Sequence, residues 1–236
     1  MAGSPRTAIA ATLLGDLAMA VAKFIAAALT GSPALLAEAV HSVASAGGQG
    51  LLLLGIRLSR SSPADGSSFA LARERYFWGS TAVFAVFAVG GAFAAHAGFV
   101  VLFGGGAACR SPAAAYGVLT IAGVFAVVST HGTLRQYVPG LRGRSFREVF
   151  FESKDPTVVM TLLKDATGFV GVVIALFGVA LGQSTGSAAP EAAAALAIGL
   201  LLAFRATLTA LKSKRMLLGQ AASGAETLLV AASAGE

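Results

Sequence analysis

Six apolar runs, at residues 7–30, 33–57, 77–103, 113–134, 156–181 and 192–211, dominate this chain of 236 residues. Each is long enough to cross roughly 30 Å of hydrocarbon as an α-helix rising 1.5 Å per residue. With 56% hydrophobic and only 12% charged residues, the chain is too apolar for an ordinary soluble domain of its size. The sequence therefore predicts an all-α, polytopic membrane protein with six transmembrane helices. The first run is not expected to be a signal peptide. It is too long, holds Asp16 and Lys23, and has no small-residue cleavage site before the next span.

The placement of Lys and Arg sets the expected orientation. Arg57, Arg60, Arg73 and Arg75 bound or occupy the loop after the second span. Arg135, Arg142, Arg144, Arg147 and Lys154 follow the fourth, and Lys212, Lys214 and Arg215 follow the sixth. Across the membrane the three opposite loops hold only Arg110. By the positive-inside rule both termini and the two long loops are expected in the cytoplasm, with the plasma (inner) membrane as host. The net charge of +6 is thus topological. The basic residues flank spans and lack interleaved stacking aromatics, which argues against nucleic acid and for anionic lipid as their partner. Cys109 is the sole cysteine, so neither an internal disulfide nor a cysteine zinc cage is available.

Short links such as Thr30-Gly31-Ser32 make the first two helices antiparallel neighbours, and the links at 104–112 and 182–189 leave no room for an outer domain. Residues 1–211 are expected to form one transmembrane domain and 212–236 a short disordered cytoplasmic tail rich in Ala, Ser and Gly.

Two spans carry ionisable residues in their interiors: Glu38 and His41 in the second, Lys164 and Asp165 in the fifth. Such groups cost free energy in a bilayer and mark ion or proton paths. Helical spacing puts Glu38, His41 and Ser45 on one face, continued by Gly48 and Gln49. Thr161 and Asp165 lie one turn apart with Gly168 on the same stripe. Imidazole and carboxylate suit a zinc-like ion, and hydroxyls supplement them for harder ions. The same polar groups also serve to tie helices together in lipid. Glu38, near the outer end of its helix, suits that tying role, whereas His41 and Asp165 as a pair suit ion binding.

Three stretches carry a family resemblance: AVAKFIAAALTGSPALLAEAVHSVA, RERYFW at 73–78, and ESKDPTVVMTLLKDATGFVGVVIA from Glu152. In order, spacing and topology they resemble the cation diffusion facilitator, or cation efflux, family of metal-ion transporters, over about residues 7–219. The resemblance implies six transmembrane helices, export of a divalent metal such as zinc in exchange for protons, and a homodimer. No permanently bound cofactor is implied; the metal is cargo. His41 fills the first place of the family's His-x-x-x-Asp motif, but Ser45 stands where its Asp belongs. Asp165 matches the helix 5 aspartate, preceded by Lys164 where the similar branch has Glu. Thr161 takes a place that is His in other branches, and Thr130 one near which the fourth helix commonly holds Glu. SSFALA at 67–72 replaces a His-Pro-Phe-Gly-Tyr-Gly-like run. No segment corresponds to the family's cytoplasmic C-terminal domain.

These departures change the electrostatics. A His, Asp, Glu, Asp set carries a formal charge of −3, whereas in His41, Ser45, Lys164 and Asp165 the one lysine cancels the one aspartate. An ammonium about 6 Å from a dication repels it by roughly 5 kcal/mol at an effective dielectric near 20. Adjacent helix positions point about 100° apart, which leaves Lys164 room to face away from the ion, and Asp16, Glu38 or Asp165 offers it a counter-charge. Asp16 stands where the family tends to have Asn, so a new acid in helix 1 is expected to balance the new base in helix 5. Lys23, common at its place in the family, is expected to snorkel at the cytoplasmic side.

The sequence thus predicts a non-enzymatic carrier of divalent cations coupled to protons. His41 and Asp165 are its expected metal ligands, Ser45 and Thr161 weak oxygen ligands, and Asp16, Glu38 and Lys164 charge-balancing or proton-path residues. The alternative is a transport-inactive relative acting as a partner subunit or structural membrane protein; a carrier of monovalent or organic cations ranks third.

Overall fold

The computed structural model describes residues 5–59, 68–106, 109–137 and 156–217. Among them all regular structure is helical: α1 (Pro5–Thr30), α2 (Pro33–Ser59), α3 (Ser68–Gly104), α4 (Pro112–Tyr137), α5 (Pro156–Thr185) and α6 (Ala189–Leu217). Among the described residues, α1 and α3 to α6 each carry a window long and apolar enough to cross a membrane. α2, 27 residues long, carries the polar line from Glu38 to Gln49 and packs on α1, α3, α5 and α6. The protein is an integral membrane protein.

Local chemistry sets the helix ends. Gly31, at φ +70°, ends α1 in the left-handed conformation that glycine adopts without strain, its N–H bonded to the Ala27 carbonyl at 2.8 Å. Ser32 then caps α2 by accepting the Leu35 N–H at 3.4 Å, and Pro33 follows at the first helical position. Pro112 likewise stands at the first position of α4, and the Ser111 carbonyl accepts the Ala115 N–H at 3.3 Å. Gly186, at φ +64°, closes α5.

Several helices outrun the sequence-derived spans. α3 has 37 residues and so is about 56 Å long; Arg73 and Arg75 lie within its first turns rather than in a loop. α6 continues to Leu217, making the start of the expected tail helical, while residues 218–236 lie outside the described residues. α5 runs to Thr185, so its link to α6 is only Gly186 to Ala188.

The helices close a ring in the order α1, α2, α3, α6, α5, α4 and back to α1, with α2 also reaching α5 and α6 across the middle. Small residues face inward: Ala34, Ala37, Ala115, Ala175, Ala192 and Ala195 are fully buried. Large apolar side chains such as Leu14, Leu29, Val89, Phe103, Phe177 and Leu200 face outward. Lipid tails are as apolar as leucine, so nothing drives those side chains inward, and close backbone contact does the packing instead. It is tightest between α3 and α6, where a Cβ added at Gly98 would stand 2.6 Å from the Ala192 carbonyl oxygen.

Candidate functional site

Where α1, α2, α4 and α5 meet, a cavity of about 60 Å³ opens inside the ring. A single water needs roughly 10–15 Å³. Asp16 and Lys23 of α1, His41 and Ser45 of α2, Ser129 of α4, and Lys164, Asp165 and Gly168 of α5 are among its lining. His41 and Asp165 are both buried and face the same space, not lipid. A Cβ at Gly168 would stand 3.8 Å from His41 Nε2, an ordinary contact. At Gly171, one turn on, a Cβ would collide with the Glu38 carboxylate.

The cavity is laced with ion pairs. Lys164 Nζ donates to Asp16 Oδ2 at 3.0 Å and lies 3.8 Å from Asp165 Oδ1. The balance expected between helices 1 and 5 is thus made through Asp16. Gln49 of α2 donates to the same Asp16 oxygen. Ser129 Oγ donates to Asp165 Oδ1 at 3.0 Å, so on α4 it is Ser129, not its neighbour Thr130, that reaches the fifth-helix aspartate. Thr130 instead donates to the Ala126 carbonyl of its own helix at 2.8 Å.

Glu38 does not balance Lys164. It pairs with Lys23, Nζ to Oε2 at 2.6 Å, in a salt bridge whose side chains are 0% and 6% exposed. Lys23 therefore turns inward rather than snorkelling. Buried charges demand such pairing because isolated ones are too costly to desolvate.

Arg205 on α6 escaped the sequence reasoning. Its signal was a single charge inside the apolar run ALAIGLLLAFRATLTAL. The buried guanidinium lies 4.0 Å from the centre of the Phe87 ring and donates from Nη1 to Ser45 Oγ at 3.0 Å and Thr167 Oγ1 at 3.3 Å. Ser45, expected as an oxygen ligand, is thus already an acceptor for a cation held in the protein. Thr161 falls on α5, but its side chain lies outside the described residues.

Glu191 was also missed. Fully buried in the first turn of α6, it accepts from Ser32 Oγ and, at 3.2 Å, from the Cys109 N–H. It ties the α1–α2 turn and the segment before α4 to a helix N-terminus, where a carboxylate is favoured.

Apart from Glu191 at the start of α6, the buried acids Asp16, Glu38 and Asp165 are matched in number by buried Lys23 and Arg205 and part-buried Lys164. Among the described residues no three of His, Cys, Asp and Glu converge closely enough to hold a metal ion. Among the described residues, three buried atoms nonetheless have no hydrogen-bond partner: His41 Nδ1, His41 Nε2 and Glu38 Oε1. Buried polar atoms are nearly always satisfied, so an imidazole with both nitrogens open beside a polar cavity fits a position that receives an ion, a proton or water.

Residues 9–218 match the family model for the cation efflux transmembrane domain. The human protein named proton-coupled zinc antiporter SLC30A9, mitochondrial, is 30% identical over 204 residues, covering 84% of this chain and 35% of that protein. Its mouse counterpart is 31% identical over 186 residues, 76% of this chain and 32% of that one. Metal tolerance protein C4 of Arabidopsis thaliana is 24% identical over 194 residues, 80% of this chain and 42% of that protein. The chain spans about a third of the length of the SLC30A9 proteins it matches. No solved structure matches it.

Proposed function

Because the chain belongs to the cation efflux family, we propose that it carries divalent, zinc-like cations across a membrane in exchange for protons. The observation that carries this is His41, buried with both ring nitrogens open on the cavity that Asp165 also lines. A neutral imidazole offers a lone pair and Asp165 a carboxylate, while Ser129 holds that carboxylate toward the space. Ser45 and Thr161 add at most weak oxygen contacts. Both principal ligands bind protons as well as metal, so each proton taken up weakens the hold on the ion; metal and proton compete for one site, and exchange follows.

Both termini are on the cytoplasmic side of a plasma or inner membrane, by the basic residues of the loops at that end. The human and mouse relatives above carry the word mitochondrial in their names, which makes a mitochondrial membrane the competing location. The basic flank contacts anionic lipid headgroups, and the working unit is a homodimer.

The test is zinc uptake by proteoliposomes of the purified chain, with and without an imposed pH gradient. Uptake that rises with the gradient and is lost in His41→Ala and Asp165→Asn, both still eluting as folded protein, is expected. Gradient-independent background equal to empty liposomes would refute transport and leave the partner-subunit role.

A further inference from the structure

The Lys164 ammonium occupies the position in the cavity where two helices present carboxylates to one another. It lies 3.0 Å from Asp16 Oδ2 on α1 and 3.8 Å from Asp165 Oδ1 on α5, and all three residues line the cavity beside His41. Each carboxylate is also held by a neutral donor, Gln49 on Asp16 and Ser129 on Asp165. Neither oxygen pair therefore depends on the ammonium for its orientation. On α2 the place opposite is taken: Ser45 accepts from Arg205.

Resting on the transport function proposed above, we infer that Lys164 is a tethered competitor of the transported dication, and that Asp16 supplies the second carboxylate of the ion's seat. An ammonium on a four-carbon stem is a compact point charge able to swing without breaking the backbone. A dication near Asp16 and Asp165 would be repelled by that ammonium at close range, so the two cannot share the position. Cargo enters as Lys164 leaves. When cargo departs, the ammonium returns and Asp16, Glu38 and Asp165 are again matched in number by Lys164, Lys23 and Arg205. The empty cavity then changes its facing without two unpaired carboxylates in an apolar interior, a state costly to desolvate. No bond forms or breaks in this exchange; a built-in cation replaces a free one.

Zinc and cobalt binding to the purified full chain in detergent, measured by titration calorimetry at constant pH, tests this. Lys164→Met is expected to bind at least tenfold tighter than the parent, and Lys164→Met with Asp16→Asn to return to the parent affinity or weaker. Removing the lysine leaves Asp16 and Asp165 facing each other, so Lys164→Gln, which still donates to Asp16 without charge, serves as the second variant and is expected to tighten binding likewise. A merely structural lysine would lower the melting temperature of both variants without tightening their binding. Zinc should therefore raise the melting temperature of the Lys164 variants more than that of the parent.

If the parent binds zinc in a manner lost on His41→Ala and neither Lys164 variant binds tighter, the competitor role is overturned while transport stands. If neither the parent nor any variant binds a divalent ion, the transport function falls and this inference with it.

Discussion

The buried pair between Lys23 and Glu38 should behave as one unit, and a double-mutant cycle measures it. At 2.6 Å and an effective dielectric near 20, the Coulomb attraction is about 6 kcal/mol. Most of it offsets the desolvation of two side chains that are 6% and 0% exposed. Lys23→Met leaves the Glu38 charge buried without its counter-ion, and its Oε1 already has no protein partner. Glu38→Gln leaves the ammonium in the same position. Each single change should cost about 3–5 kcal/mol, which for a domain of this size corresponds to a melting temperature lower by roughly 6–20 °C. Changing both together removes both charges, and the double variant should lie within about 2 kcal/mol of the parent, giving a coupling of at least about 4 kcal/mol. Thermal unfolding of the four proteins in one detergent, followed by size-exclusion of the soluble fraction, reads the cycle. Additive losses, with the double variant as unstable as the sum of the singles, would refute the pairing.

Three shorter expectations follow from the same packing. Gly199→Ala should abolish or severely reduce folded protein, because its Cβ would stand 2.6 Å from the Ala95 amide nitrogen and 2.8 Å from the Gly91 carbonyl oxygen of α3; Gly117→Ala, with nothing within 4 Å, should raise stability by about 0.5–1 kcal/mol, and yields on size-exclusion compare the two. Ser45→Asp restores the family's motif in sequence, yet with Arg205 Nη1 3.0 Å from the present hydroxyl it should form an ion pair instead, raising the melting temperature with less than a threefold gain in zinc affinity; a tenfold gain would show that the aspartate reaches the ion. Cys109 is a poor topological probe, being 7% exposed, with burial pushing its thiol toward the unreactive protonated form. In a Cys109→Ser background, Ser184→Cys, at an exposed position of α5, should be labelled by an impermeant maleimide from the side opposite the termini; labelling only after permeabilisation would invert the orientation.

The membrane fold was legible in the chain because its cause is local. An apolar run of about 20 residues in lipid must satisfy its own backbone hydrogen bonds, and a helix is the one structure that does so within a single segment. The cap at Ser32, the prolines that open helices and the turns at Gly31 and Gly186 are local too, which is why the helix starts near Pro33, Pro112 and Pro156 and the end near Thr30 were readable. The start of α3 and the end of α6 were not, because helix there continues past the apolar run on polar residues such as Arg73, Arg75 and Lys212, where hydropathy carries no signal.

Periodicity likewise placed His41 and Ser45 on one face of α2, and residue chemistry marked Asp165 as a candidate ligand. Which charge meets which is a different kind of fact. Lys23 finds Glu38 fifteen residues away, Lys164 finds Asp16 across 148, and Arg205 finds Ser45 across 160. These choices depend on the order in which the helices close the ring and on how each is rotated about its axis. Neither is written in any one segment. A buried charge accepts whichever counter-charge or polar group the packing brings within reach, so composition required that Asp16, Glu38, Asp165, Lys23, Lys164 and Arg205 find partners, and only the tertiary structure assigned them.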